Sequence, residues 1–185
     1  LVARQEQRLQ QVADELHREF GVTAKVLVAD LSRPDTPQMI VDTVRKELLQ
    51  VEYLVNNAGI GLGGKFVETD LMVELSMMQL NMMALVHLTK LFLPDMVARG
   101  SGRIMNVAST AAFQPGPLMA VYYATKSFVL SFSEAIANEL SGTGVTVTAL
   151  CPGPTESEFQ KRAHIENTRL IKSKLMGWMT SEAVA

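Results

Sequence analysis

The chain contains a single cysteine, Cys151, so no disulfide can form within it, and a reduced, cytoplasmic setting is the default expectation. Charge is sparse and balanced: 19% of residues are charged, the net charge is −2, and no basic block stands out. That removes the electrostatic footprint of a nucleic-acid binder. No uninterrupted apolar run reaches the ~20 residues that span a bilayer, and the charged amphipathic stretch from Gln5 to Glu19 is not a signal peptide. Repeats, low-complexity tracts and linkers are absent, and nothing in the pattern calls for a metal. No glycine occurs before Gly21, and the chain opens on Leu1-Val2-Ala3-Arg4, an apolar stub that reads as the end of a strand. What is present is ordinary for one globular domain: 185 residues, 48% of them hydrophobic.

Helical and strand patterns alternate. Gln5 to Phe20 carries Leu9, Val12, Ala13, Leu16 and Phe20 at helical spacing, and Gly21 stops it. Thr23 to Ala29 predicts a buried strand closed by Asp30, and Pro34 to Gln50 a helix. Val51 to Val55 predicts a strand, followed by Asn56-Asn57-Ala58-Gly59 and a Gly-rich loop through Gly64. A long helix is expected from Leu71 to Ala98, rich in methionine and shortened or kinked near Pro94. A strand at Arg103 to Val107, a helix from Ala120 to Leu140 and a strand at Val145 to Leu150 follow, and Pro152-Gly153-Pro154 breaks the last. The tail from Glu156 predicts one or two amphipathic helices. Such alternation implies right-handed crossovers and a doubly wound α/β fold, a mostly parallel, Rossmann-like sheet with helices on both faces.

Chemistry concentrates at Tyr122-Tyr123-Ala124-Thr125-Lys126. Tyr122 and Lys126 are four apart, one helical turn on one face. An ammonium beside a phenol favours phenolate and draws its pKa down from near ~10. Ser109 stands thirteen positions earlier, at the end of an apolar run, where an open α/β sheet presents reactive groups. Alone, the Tyr-x-x-x-Lys pattern is also a common surface pair, Tyr123 rivals Tyr122, and Thr110 rivals Ser109.

Taken in order, the motifs settle those rivalries. Asp30, Asn56-Asn57-Ala58-Gly59, Asn81, Ser109, Tyr122-x-x-x-Lys126 and Pro152-Gly153 together resemble the short-chain dehydrogenase/reductase family over nearly the whole chain. The resemblance implies a catalytic set of Asn81, Ser109, Tyr122 and Lys126. Tyr122 is then the general acid or base, Ser109 holds the substrate oxygen, Lys126 lowers the phenol pKa and binds the nicotinamide ribose, and Asn81 anchors a water in a proton relay. Cofactor contacts are implied for Asp30 and Leu31 at the adenine, for Asn57, Ala58 and Gly59 at the adenosine ribose and phosphates, and for Pro152, Gly153 and Thr155 at the nicotinamide amide, with Ser157 as an alternative to Thr155. Arg4, at the end of the opening stub, suits a 2′-phosphate, so NADP(H) is expected over NAD(H).

The family's first strand and Gly-rich phosphate loop are not in this sequence, and Gly61-Leu62-Gly63-Gly64 stands in the wrong place to replace them. A final strand is also missing from the pattern. The expectation is an internal piece of a longer protein, truncated at both ends, with a gap in its sheet. The expected function is hydride transfer between NADP(H) and a ketone, acyl or lipid-like carbonyl. The segments Ala111 to Met119 and Phe159 to Trp178, with Phe113, Leu118, Phe159, Leu170, Leu175, Met176 and Trp178, are expected to cover the substrate. The alternative is a catalytically silent dinucleotide sensor of the same fold. A homo-oligomer through helices 71–98 and 120–140 is expected from the resemblance.

Overall fold

The computed structural model describes residues 1–156, 158–163, 165 and 178–184. Strand β1 (Val2–Ala3) leads into helix α1 (Glu6–Phe20) and returns to β2 (Leu27–Val28), which lies parallel to β1 with Val2 opposite Leu27. Leu9 and Ala13 form the buried stripe of α1, and Gly21 caps it in the left-handed conformation. The strand expected over Thr23 to Ala29 is shorter. A ladder extends only as far as its partner, and β1 offers two residues.

Helix α2 (Thr36–Lys46) starts two residues later than Pro34 and stops before Gln50. Pro37 occupies the first helical turn, where its missing N–H costs nothing. Leu48 then adopts φ 54° with its side chain exposed, which ends the helix. β3 (Tyr53–Asn56), β4 (Gly102–Val107) and β5 (Val145–Leu150) make a second, fully parallel sheet in the order β3-β4-β5. Among the described strands, β1 and β3 each keep an edge without a partner, and Val2, Tyr53 and Val55 are exposed there.

Between β3 and β4 runs a continuous 29-residue helix, Leu71–Arg99. It comprises α3 (Leu71–Met78), a π-helical turn (Gln79–Met83) and α4 (Ala84–Arg99). Asp70 caps it through the amides of Met72 and Val73. Pro94 does not end it, and Gly100 does. By length and composition alone this helix could cross a membrane; here it packs on α2, β4 and the helix that follows β4. That helix, α5 (Ala120–Glu139), lies against β4 and β5. A short parallel pair, β6 (Thr155–Glu156) and β7 (Met179–Thr180), flanks α6 (Phe159–Arg162).

The main core joins Ile40 and Val41 of α2, Leu88, Phe92 and Met96 of α4, Ile104 of β4 and Val145 of β5. A smaller cluster of Leu85, Ala108 and Val129 joins α4, the end of β4 and α5. Between these lies a buried polar chain. Asn56, the last residue of β3, donates from Nδ2 to Asn106 Oδ1 at 2.9 Å and to Thr89 Oγ1 at 3.3 Å. Asn106 donates to Ser133 Oγ at 2.9 Å, and Ser133 donates to the Val129 carbonyl at 2.6 Å. One side-chain relay therefore ties the ends of β3 and β4 to α4 and α5.

Asn106→Ala leaves Asn56 and Ser133 short of partners in a dry interior. The expected loss is about 2–4 kcal/mol in urea unfolding of the protein. A loss below about 0.5 kcal/mol would show that the relay does not hold the strand ends.

Candidate active site

The register places Asn56 opposite Asn106 and Asn106 opposite Ala149, so three parallel strands finish side by side. Their C-terminal edge is where an open α/β sheet assembles its site. Backbone pairing continues past the strands: the amide of Ala108 donates to Leu150 O at 2.8 Å and that of Thr110 to Pro152 O at 2.9 Å. The Pro152 turn is thereby pinned against Ser109. Ser109 is extended and caps a short 3-10 turn, Thr110–Phe113, by accepting from the Ala111 amide at 3.1 Å. Its hydroxyl also lies 3.5 Å from Pro152 O.

Helix α5 begins at Ala120 and carries Tyr122, Thr125 and Lys126 toward this edge. Lys126 is buried and donates from Nζ to the Val107 carbonyl at 2.7 Å. The same Nζ lies over the Tyr122 ring, 5.9 Å from its centroid. Burial without a carboxylate lowers the lysine pKa to about 8, with nearby Cys151 acting weakly in the opposite sense. Burial raises the Tyr122 pKa, and a hydrogen bond with the Ser109 hydroxyl works against the rise. The expected pull of Lys126 on the phenol is therefore not what sets its titration in this arrangement. The ammonium donates to the Val107 carbonyl, and desolvation of the phenol prevails.

Asn81 sits in the π-helical turn, almost wholly buried. Its Oδ1 accepts from the Ile60 amide at 3.0 Å, and its Nδ2 donates to Ile60 O at 2.9 Å and to Thr125 Oγ1 at 3.0 Å. Thr125 in turn donates to Tyr122 O at 2.7 Å. Both amide hydrogens are used, so the Asn81 side chain ties the loop after β3 to α5. Thr125 was not singled out from the sequence. Its signal there was a polar residue on the Tyr122–Lys126 face, one that must find partners once buried. Tyr123 packs beside Gly116 and edge-on to Tyr122, with ring centroids 6.0 Å apart.

The residues expected at a dinucleotide divide into three groups. Asn57, Ala58 and Gly59 are exposed just past β3. A Cβ on Gly59 would stand 3.4 Å from Asn81 Oδ1 and 3.5 Å from Lys126 Nζ, so this backbone closely borders both side chains. Asp30 follows β2, and its Oδ1 accepts from the amide and hydroxyl of Ser32 at 2.9 and 2.7 Å. Those bonds hold its pKa down, with Arg4 and Arg33 adding to the effect, which places the Arg4 charge near Asp30. Leu31 is half-buried against the main core. Pro152 and Gly153 are half-buried beside Ser109, and Thr155 turns its hydroxyl onto Gly153 O at 3.0 Å. Of the expected substrate cover, Phe113 and Leu118 are exposed and Phe159 meets Tyr122, with ring centroids 5.2 Å apart. Trp178 is half-buried. Ser157, Leu170, Leu175 and Met176 lie outside the described residues.

The chain matches the family model described as short chain dehydrogenase over residues 1–167. It is 40% identical over 160 residues to a short chain dehydrogenase of Pseudocercospora fijiensis, a match covering 85% of this chain and 52% of the relative. It is 35% identical over 168 residues to the very-long-chain 3-oxoacyl-CoA reductase of Anas platyrhynchos, covering 87% and 53%. Among solved structures, a short-chain dehydrogenase from Sphingobium yanoikuyae in complex with NADPH superposes with a TM-score of 0.89 at 35% identity, covering 100% of this chain and 70% of that one. The chain spans about half the length of the curated relatives it matches.

The buried lysine makes stability depend on pH with a definite sign. Its folded pKa of about 8 lies below the ordinary 10.5, so between those values the unfolded chain holds more protons and stability rises with pH. The charging penalty is present in full below pH 8 and amounts to something on the order of 3 kcal/mol. Tyr122, raised, acts oppositely only as pH passes its ordinary value of 10. Urea unfolding at pH 7, 8.5 and 9.5 is expected to show a rising stability that Lys126→Met flattens. Parallel curves for the two proteins would contradict the burial of this charge.

Proposed function

The chain belongs to the short-chain dehydrogenase family, and from that premise we propose that the protein transfers a hydride between NADP(H) and a carbonyl or secondary-alcohol substrate. One observation carries the reading: Ser109, Tyr122 and Lys126 converge at the C-terminal edge of a parallel sheet, with Asn81 and Thr125 bracing them from behind. The residues fit a dinucleotide. Asn57, Ala58 and Gly59 are exposed, and at Gly59 the backbone has no side chain between it and Lys126. Arg4 and Asp30 stand near each other at the other sheet. Arg4, Asp30 and Leu31 would hold the adenosine end, Asn57, Ala58 and Gly59 its ribose and phosphates, Lys126 and Tyr122 the nicotinamide ribose, and Pro152, Gly153 and Thr155 the amide. When bound, the nicotinamide supplies or accepts the hydride.

The chain's own groups handle the proton. Reduction builds negative charge on the carbonyl oxygen. Tyr122 Oη donates the proton that neutralises it, and Ser109 Oγ donates a second hydrogen bond to the same oxygen. Burial keeps Tyr122 protonated at neutral pH, the form an acid needs for reduction. Lys126, once drawn toward the ribose, stabilises the phenolate left behind. Beside Tyr122 stands the apolar Phe159 ring, with Met119 next to the Gly61 notch that the ring fills, which suits a ketone, acyl or lipid-like compound. Exposed Leu71, Met72, Leu75, Met78, Met83 and Phe128 on the long helix and α5 suit a homo-oligomeric interface. A chain with one cysteine suits the reducing cytoplasm.

Tyr122→Phe in the full-length protein is expected to lower kcat/KM for ketone reduction by about 10²–10⁴-fold while NADPH still binds. Undiminished turnover would sink the assignment, and a wild type that binds NADPH but turns over nothing would favour the sensor. Arg4 bears on the choice of cofactor. Arg4→Glu is expected to shift the NADPH-to-NADH preference toward NADH by about ten- to a hundredfold. Equal loss with both cofactors would separate Arg4 from the 2′-phosphate.

A further inference from the structure

Phe159 is the closest aromatic neighbour of Tyr122 among the described residues, its ring tilted by 50° at a centroid distance of 5.2 Å. It comes from α6, a separate element that belongs to neither the sheet nor α5. Its approach depends on Gly61. A Cβ there would lie 2.5 Å from Phe159 Cζ, 3.0 Å from Cε2 and 3.3 Å from Met119 Cε. The contact repeats two residues on. At Gly63 a Cβ would lie 2.3 Å from Ile165 Cγ2 and 3.1 Å from Ala163 O, and the Gly63 amide donates to that carbonyl at 2.8 Å. Ala163 itself is fully buried. The loop after β3 is therefore seated against Phe159, Ala163 and Ile165, with one glycine under each large side chain. Gly61 and Gly63 belong to the stretch that cannot act as a phosphate loop, so this seat gives them a purpose that cofactor binding does not.

We propose that Phe159, seated in the notch left by Gly61, sets how bulky a substituent the carbonyl carbon can carry beside the Tyr122 hydroxyl. This rests on the reductase reading and deepens it. Tyr122 is flanked by Phe159, by Tyr123 edge-on and by Lys126 over its ring. Tyr123 and Lys126 belong to the same helix as the phenol, and Ser109 reaches it from the end of β4 with a polar hydroxyl; Phe159 is the apolar flank that comes from a separate element. Its notch is lined by Met119. A carbonyl with one slim, unbranched apolar arm fits such a wall. One carrying two bulky groups meets the Phe159 ring, and rejection by collision separates substrates that attraction alone would not.

The test compares kcat/KM for 2-octanone and benzophenone with NADPH in the full-length wild type, Phe159→Ala and Phe159→Leu. The wild type is expected to prefer 2-octanone. Phe159→Ala is expected to raise the benzophenone-to-2-octanone ratio by about tenfold or more, with NADPH affinity unchanged. Phe159→Leu, which keeps an apolar filler and protects against loss of folding, is expected to fall between them. Ratios within about twofold of wild type in both variants overturn the role of Phe159 and leave the reductase reading standing. A wild type that binds NADPH yet reduces neither ketone, nor oxidises the matching alcohols, overturns the reductase reading and this assignment with it.

Discussion

A carboxamide that is wholly buried must find its partners inside the protein, and Asn106 finds them in two directions. Toward β3 it accepts from Asn56, and toward α5 it donates to Ser133. These bonds come at the last turn of the strands, where backbone pairing is about to end and loops take over. They fix where β3 and β4 stop relative to each other and where α5 lies above them. Ser109, three residues beyond Asn106, and Lys126, two turns before Ser133, inherit that placement. A shift of one residue between β3 and β4 would break the relay and carry the Asn57 to Gly59 backbone away from Lys126.

The site built on this frame holds a charge where the fold would be more stable without one. Lys126 has a carbonyl for a partner and no carboxylate, and its pKa falls accordingly. Behind it, Asn81 is committed to Ile60 and Thr125, and Thr125 to Tyr122 O. The π-helical turn belongs to the same arrangement, since it is the stretch of the long helix that carries Asn81 to the loop. Rigid bracing behind a desolvated cation would suit the proposed proton transfer, because preorganised groups need not rearrange as charge develops.

On the substrate side the bracing is of another kind. Two glycines let Phe159, Ala163 and Ile165 rest on the loop after β3, and an aromatic ring comes to lie beside Tyr122. Polar bonds position the chemistry; close packing against bare backbone shapes the room around it. The two mechanisms meet at Tyr122, which neighbours both Lys126 and Phe159.

Periodicity was enough to read the doubly wound fold, because each helix has its own apolar stripe and each long strand its β-branched run; β5 falls on Val145 to Leu150 as expected. The candidate site was legible because Tyr122 and Lys126 share a helix, so their spacing is a local property, and because Ser109, Asn81 and the rest follow in a recognisable order. What could not be read were contacts between residues far apart in the chain. Asn56 to Asn106 spans fifty positions and Asn81 to Thr125 forty-four, and no local pattern announces either. The π-helical turn, the short β2 and the persistence of the helix through Pro94 likewise depend on neighbours. So did the pKa of Tyr122: sequence spacing puts a cation one turn away, but burial and the competing Val107 carbonyl decide where that cation spends its charge. Helix spacing is set by covalent geometry and is written into the chain, whereas desolvation exists only after the chain has closed around the group.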